Sequence, residues 1–217
     1  MRLRSGSRVL GAEAAAGIGM HSLYLLVIKL ATLYFDLGSP YGYLAAERVA
    51  AGLLGGPAEF EPILLGAIFR YRGRGSWAET DARDDNLVEL AQRARRYGLA
   101  PFAWPDGWPG DGLAAMRAAT WAARLGAGER FALAAYRRAF VDGTALTVGV
   151  LAEVADEVGL DGAALADAIA DPEIKTALRA ATDGAWDAGV SGVPTLRVGE
   201  ALFYGDDRLE TAAAAAG

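Results

Sequence analysis

The sequence predicts an α/β fold interrupted by a large all-helical insertion, in the order β-α-β, helices, β-β-α. Three observations carry this reading. An apolar run over 23–35, broken by Lys29 and Thr32, enters a Gly38-Ser39-Pro40 turn and passes at once into an alanine-rich helical pattern. From about Arg83 to Asp183 the apolar spacing is almost wholly helical. The last segment then returns to two short apolar runs split by Gly199-Glu200.

Residues 1–22 read as an N-terminal extension, a dispensable and disordered leader with no clear periodicity, and Met20 is an alternative start. The 23–35 run is short for a membrane span and lacks a good cleavage site, so it is taken as the first core strand. Ser39 suits an N-cap and Pro40 the first helical position, where a missing N–H costs nothing. The helix runs to Leu54 and stops at Gly55-Gly56-Pro57; Glu59–Leu65 is a second strand, parallel to the first across a right-handed crossover. Gly66–Ala82 is a Gly- and Arg-rich transition segment. Helices follow over Asp84–Tyr97, Leu113–Leu125, Glu129–Phe140, Thr147–Val158, Asp161–Ala170 and Pro172–Ala188. Val193–Val198 and Ala201–Tyr204 form an antiparallel pair, and Gly205–Glu210 opens a final helix. This is a thioredoxin-like arrangement: 23–69 and 189–217 form one domain that shares a single sheet, and 70–188 is an inserted helical domain.

Composition narrows the chemistry. A net charge of −6 argues against a nucleic-acid partner, which needs a basic face. There is no cysteine, so Cys-X-X-Cys exchange, thiolate metal sites and cysteine nucleophiles are excluded. The single histidine, His21, precedes the organised part, which leaves no histidine triad or histidine-rich metal site there. Catalysis has to come from hydroxyls, carboxylates, arginines, backbone dipoles or a group carried by a ligand. The strand-turn-helix at Ser39 places a hydroxyl at the positive end of a helix, where anions and thiolates are stabilised. A plain helix cap accounts for the same residues.

Tyr34-Phe35-Asp36-x-x-Ser39-Pro40-Tyr41-x-Tyr43-Leu44-Ala45, Glu61–Phe69, Val158–Asp161, Gly192-Val193-Pro194-Thr195 and Tyr204–Glu210 occur in that order. Together they resemble 2-hydroxychromene-2-carboxylate isomerase and kappa-class glutathione transferase, within the DsbA-like thioredoxin superfamily, over about residues 31–211. The resemblance implies a cytoplasmic homodimeric isomerase that uses glutathione or another low-molecular-weight thiol on a small aromatic substrate. It implies that Ser39 hydrogen-bonds the cofactor sulfur, so that the nucleophile is borrowed from the ligand. It further implies a cis Pro194, with the Val193 main chain pairing with the thiol peptide, and contacts from Asp206 and Asp207 to its γ-glutamyl end. Tyr41, Arg74 and Trp77 are expected on the substrate side. The family places an asparagine after the glycine where this chain has Arg74 after Gly73, and an arginine suits an acidic substrate or a different thiol. Two alternatives stand beside the isomerase: a kappa-like transferase conjugating electrophiles, and a non-catalytic thioredoxin-like binding protein, which Arg74 favours most.

Overall fold

The computed structural model describes residues 31–216, so the expected 1–22 extension and the first part of the 23–35 strand lie outside the described residues. Strand β1 (Ala31–Phe35) pairs in parallel with β2 (Ala58–Pro62) across helix α1 (Pro40–Ala50). It pairs on its other edge, antiparallel, with β3 (Thr195–Val198), which carries β4 (Ala201–Tyr204). The sheet order is therefore β2-β1-β3-β4, assembled from both ends of the described chain. Between β2 and β3 come α2 (Leu65–Tyr71), α3 (Arg83–Arg96), α4 (Leu113–Arg124), α5 (Gly128–Phe140), α6 (Val148–Glu157), α7 (Leu165–Ala170) and α8 (Pro172–Asp187). A 3-10 turn at Asp206–Arg208 runs into α9 (Leu209–Ala216).

Every residue of β1 is buried, because both faces of the sheet are covered. Leu33 and Phe35 enter a large core with Leu44, Met116, Phe131 and Tyr136. Tyr34 points the opposite way, into a smaller core with Ile63, Ile68, Val190 and Val193. This is the period-two alternation of a strand applied to two layers. Each such buried aliphatic or aromatic side chain contributes about 1.5–3 kcal/mol. Inserted helix α5 packs on both α1 and β2, so the principal core is continuous from the sheet into the helical block.

Boundaries differ from expectation at several elements, among them β3, which begins at Thr195 and not at Val193. Helix α1 ends at Ala50, not Leu54, because Gly52 adopts φ 88° and the Gly52 and Leu53 N–H groups donate back to the Val49 and Arg48 carbonyls. That is a Schellman ending, which only a residue at ease with positive φ completes cheaply. Strand β2 ends at Pro62, not Leu65, because the Leu64 and Leu65 N–H groups turn aside to the Thr182 hydroxyl and the Asp36 carboxylate. The segment after it is not loop throughout: α2 forms because Ala67 and Ile68 are buried, Ile68 in the smaller core.

Candidate active site

The turn between β1 and α1 is tied down at every residue. The Ser39 N–H donates to the Asp36 carbonyl at 2.9 Å, and the Gly38 N–H donates to Asp36 Oδ1 at 2.8 Å. The Leu37 N–H reaches the Met116 sulfur at 3.1 Å, and the Tyr136 hydroxyl donates to the Asp36 carbonyl at 2.9 Å. Ser39 is the N-cap of α1, 5% exposed, and its hydroxyl oxygen accepts the Gly42 N–H at 3.1 Å. That bond uses a lone pair and keeps the hydroxyl proton for another acceptor. Gly42 is required by close approach, since a Cβ there would collide with the Tyr136 hydroxyl.

Ser39 opens onto a cleft of about 690 Å³. Its walls include Asp36 and Ser39 from the turn, Phe69 and Arg70 from α2, Arg74 and Trp77 beyond it, and Trp108 from the strap that precedes α4. The structure thus brings Ser39, Arg74 and Trp77 to one cavity. Arg70 and Arg74 are exposed on its wall, and neither forms an ion pair among the described residues. Trp77 and Trp108 stand 5.6 Å apart by ring centroid, and Trp108 Nε1 donates to the Gly38 carbonyl at 3.0 Å. The Arg83 guanidinium lies over the Trp108 ring and donates to the carbonyls of Ala78 and Trp108. No group of three or more metal-ligating side chains occurs among the described residues.

The other sequence-predicted residues lie around this cavity rather than in its lining. Tyr41 sits behind Trp77, 5.9 Å between centroids, and its hydroxyl donates to Asn86 at 2.8 Å. Burial and the neighbouring Glu89 push its phenol well above the usual value. The Val193–Pro194 peptide is cis. Thr195 pairs with Tyr34, which puts Pro194 at the same end of the sheet as Phe35 and the Ser39 turn. Among the described residues the Val193 N–H and C=O form no hydrogen bond, while the Pro194 carbonyl accepts the Gly205 N–H at 2.9 Å.

Asp206 and Asp207 differ sharply. Asp206 is 1% exposed, with Oδ1 on Arg93 at 2.6 Å and Oδ2 on the Tyr97 hydroxyl at 3.0 Å. Burial lifts its carboxyl above the usual range against the opposing pull of Arg93. Asp207 is 58% exposed and lies 3.9 Å from the same guanidinium. Arg48, also buried, donates to the Asp206 carbonyl at 2.6 Å, pairs with Glu210 and stacks over the Tyr97 ring.

Asp36, Arg70 and Trp108 are site residues that sequence reasoning passed over. Asp36 is buried, accepts the Leu65 N–H at 2.8 Å as well as the Gly38 N–H, and so joins the Ser39 turn to the opposite wall of the cleft. Burial raises its carboxyl above the usual value, and those two backbone N–H groups pull the other way. The signal for Asp36 was its place in the Tyr-Phe-Asp run; for Trp108 it was a cluster of prolines and tryptophans with no periodicity to interpret.

A match to the DSBA-like thioredoxin domain covers residues 32–216. This chain belongs to the DsbA-like thioredoxin family. It is 28% identical over 188 residues to a 2-hydroxychromene-2-carboxylate isomerase of Sphingobium xenophagum, covering 84% of this chain and 95% of that one. The solved structure of a 2-hydroxychromene-2-carboxylate isomerase superposes with a TM-score of 0.78 at 22% identity, covering 86% and 93% of the two chains. The cytosolic disulfide reductase DsbM of Pseudomonas aeruginosa, solved with GSH, gives 0.60 at 18% identity, covering 83% and 92%. These two structures share its fold. Ser39-Pro40-Tyr41-Gly42 opens α1 and the chain has no cysteine, so it has no thiols of its own to exchange. No described helix is long and apolar enough to cross a membrane.

Proposed function

We propose that the protein is a thiol-dependent isomerase acting on a small aromatic carboxylate of the 2-hydroxychromene type, with glutathione or a similar thiol as cofactor. The observation that carries this reading is the serine cap itself: a buried hydroxyl at the N-terminus of α1, opening onto a cleft walled by two tryptophans and two unpaired arginines. The relative from Sphingobium xenophagum supports it, the match covering 84% of this chain and 95% of that one. When bound, the thiol would supply the nucleophile that the chain lacks.

The residues present suit such a ligand. Ser39 offers a proton to a sulfur anion while the dipole of α1 favours the anionic form. The unbonded main chain of Val193 can accept a short extended peptide as an added strand. Because Arg93 and Tyr97 already occupy Asp206, the exposed Asp207 carboxylate is the one left to meet an ammonium group. Arg70 and Arg74 hold the substrate carboxylate, and Trp77 and Trp108 flank its ring and restrict water.

Ser39→Ala tests the proposal. Losing a hydrogen bond to a charged group costs about 1.5–3 kcal/mol, or roughly ten- to a hundredfold in turnover. The thermal melt should fall only by the loss of a cap, about 1 kcal/mol. Glutathione-dependent isomerisation of 2-hydroxychromene-2-carboxylate, followed by absorbance, should therefore drop in a folded variant. Unchanged turnover would remove Ser39 from the reaction, and a stable thiol adduct in the mass spectrum would make the chain a transferase instead.

A further inference from the structure

We propose that the chain carries a second small-molecule site, in the chamber behind Trp108, that takes a small uncharged aromatic compound. The strap from Pro105 to Gly112 separates two cavities, and Gly38, Trp108 and Asp111 line both. On one side is the arginine-bearing cleft at Ser39. On the other is a chamber of about 380 Å³, whose walls include Trp108, Phe140, Leu146 and Val148. That volume lies within the range of small-ligand pockets.

The chamber stays open because alanines, among them Ala139 and Ala145, stand where longer side chains would fill it. Val148 on its lining is 43% exposed, one of few large apolar side chains left so far uncovered among the described residues. The partly exposed Trp108 ring, which packs near perpendicular to the buried Phe140 ring 6.4 Å away, offers a flat apolar surface to a planar guest.

Charge decides the class of guest. Asp106 and Asp111 line the chamber, and no arginine or lysine does. A carboxylate there would face like charge with no cation to offset its lost hydration, whereas the cleft, though Asp36, Glu79 and Asp111 also line it, has Arg70 and Arg74 to receive one. The two cavities therefore sort aromatic molecules by charge: acids go to the cleft and neutral rings to the chamber. The occupant would lie against Gly38, the residue before Ser39, whose carbonyl Trp108 already holds. This site does not depend on the thiol-dependent reading of the cleft.

Calorimetric titration of the full chain with 1-naphthol and with 1-naphthoate tests it. Saturable binding of one 1-naphthol is expected, weakened at least tenfold by Ala145→Phe, which fills the chamber, and kept within twofold by Phe69→Ala, which alters the cleft wall away from Trp108. Val148→Trp repeats the first arm should Ala145→Phe not fold. 1-Naphthoate should be indifferent to either chamber substitution. Absence of saturable 1-naphthol binding overturns the proposal. So does binding that ignores both chamber variants, follows Phe69→Ala, or is matched by 1-naphthoate at the same chamber. Ser39→Ala turnover reports on the cleft alone, so the two readings fail separately.

Discussion

Gly42 shows how tightly the Ser39 turn is packed. Exchanging glycine for alanine inside a helix ordinarily gains up to about 1 kcal/mol. Here the added methyl would strike the Tyr136 hydroxyl, which is fully buried and holds the Asp36 carbonyl. Overpacking costs about 1–3 kcal/mol and the disturbed hydrogen bond about 1 more, so the penalty wins. Gly42→Ala should lower stability by about 2 kcal/mol in urea unfolding. Asp36 gives a pH signature. Its carboxyl is raised by burial, so the native state holds the proton more tightly than the unfolded chain. Its contribution to stability therefore falls as pH rises from the ordinary carboxylate value through the raised one. Wild type should gain stability relative to Asp36→Asn as pH is lowered from about 7 to about 4, and urea midpoints at the two pH values check this. Asp206 behaves as half of a pair: Asp206→Ala leaves a mostly buried Arg93 guanidinium with the half-exposed Glu89 and the more distant, exposed Asp207. Breaking a buried pair costs about 3–5 kcal/mol, and the low end applies because Arg93 is 20% exposed. A loss of about 3 kcal/mol in the same assay is expected.

At the scale of elements, the strap at Pro105–Gly112 matters more than its lack of secondary structure suggests. Trp108 anchors it through Gly38, and its ring meets Trp77, Trp104 and Phe140. Trp108→Ala removes all of these at once. Because the side chain is only partly buried, the cost should fall near about 2–3 kcal/mol, below that of a fully buried tryptophan. The released strap should also be cut faster in limited proteolysis, with new termini between 105 and 112. Periodicity could not have exposed this role, since the contacts of Trp108 with Gly38, Trp77 and Phe140 reach far along the chain. Helix α2 was hidden for a related reason. Its seven residues are too few for a period to stand out, and its start is set by Asp36 and Thr182, which bond the Leu65 and Leu64 N–H groups from distant parts of the chain.

Across the whole molecule, the inserted helices do not own a separate core. Met116, Phe131, Tyr136 and Phe140 from the insertion share one cluster with Leu33, Phe35 and Leu44 from β1 and α1. A second tie runs through Arg93 and Tyr97, which hold Asp206 next to the C-terminal helix, while Arg48 of α1 joins the same group. Residues 70–188 expressed alone should therefore expose much of this apolar surface and show no cooperative melt by circular dichroism. The intact chain should show one.

From its own pattern the sequence determined the order of elements, the Ser39 cap with Pro40 after it, and the absence of any thiol chemistry of its own. Each of these is local: caps, periods and missing residue types act within a few positions along the chain. Tertiary structure alone decided that Arg74 and Trp77 meet Ser39 while Tyr41 stands behind them. It also decided that Asp206 is consumed by Arg93, and that Trp108 divides one cavity from another. Those outcomes depend on which side chains, far apart in sequence, compete for the same buried hydrogen bonds and the same space, and a linear pattern does not encode that competition.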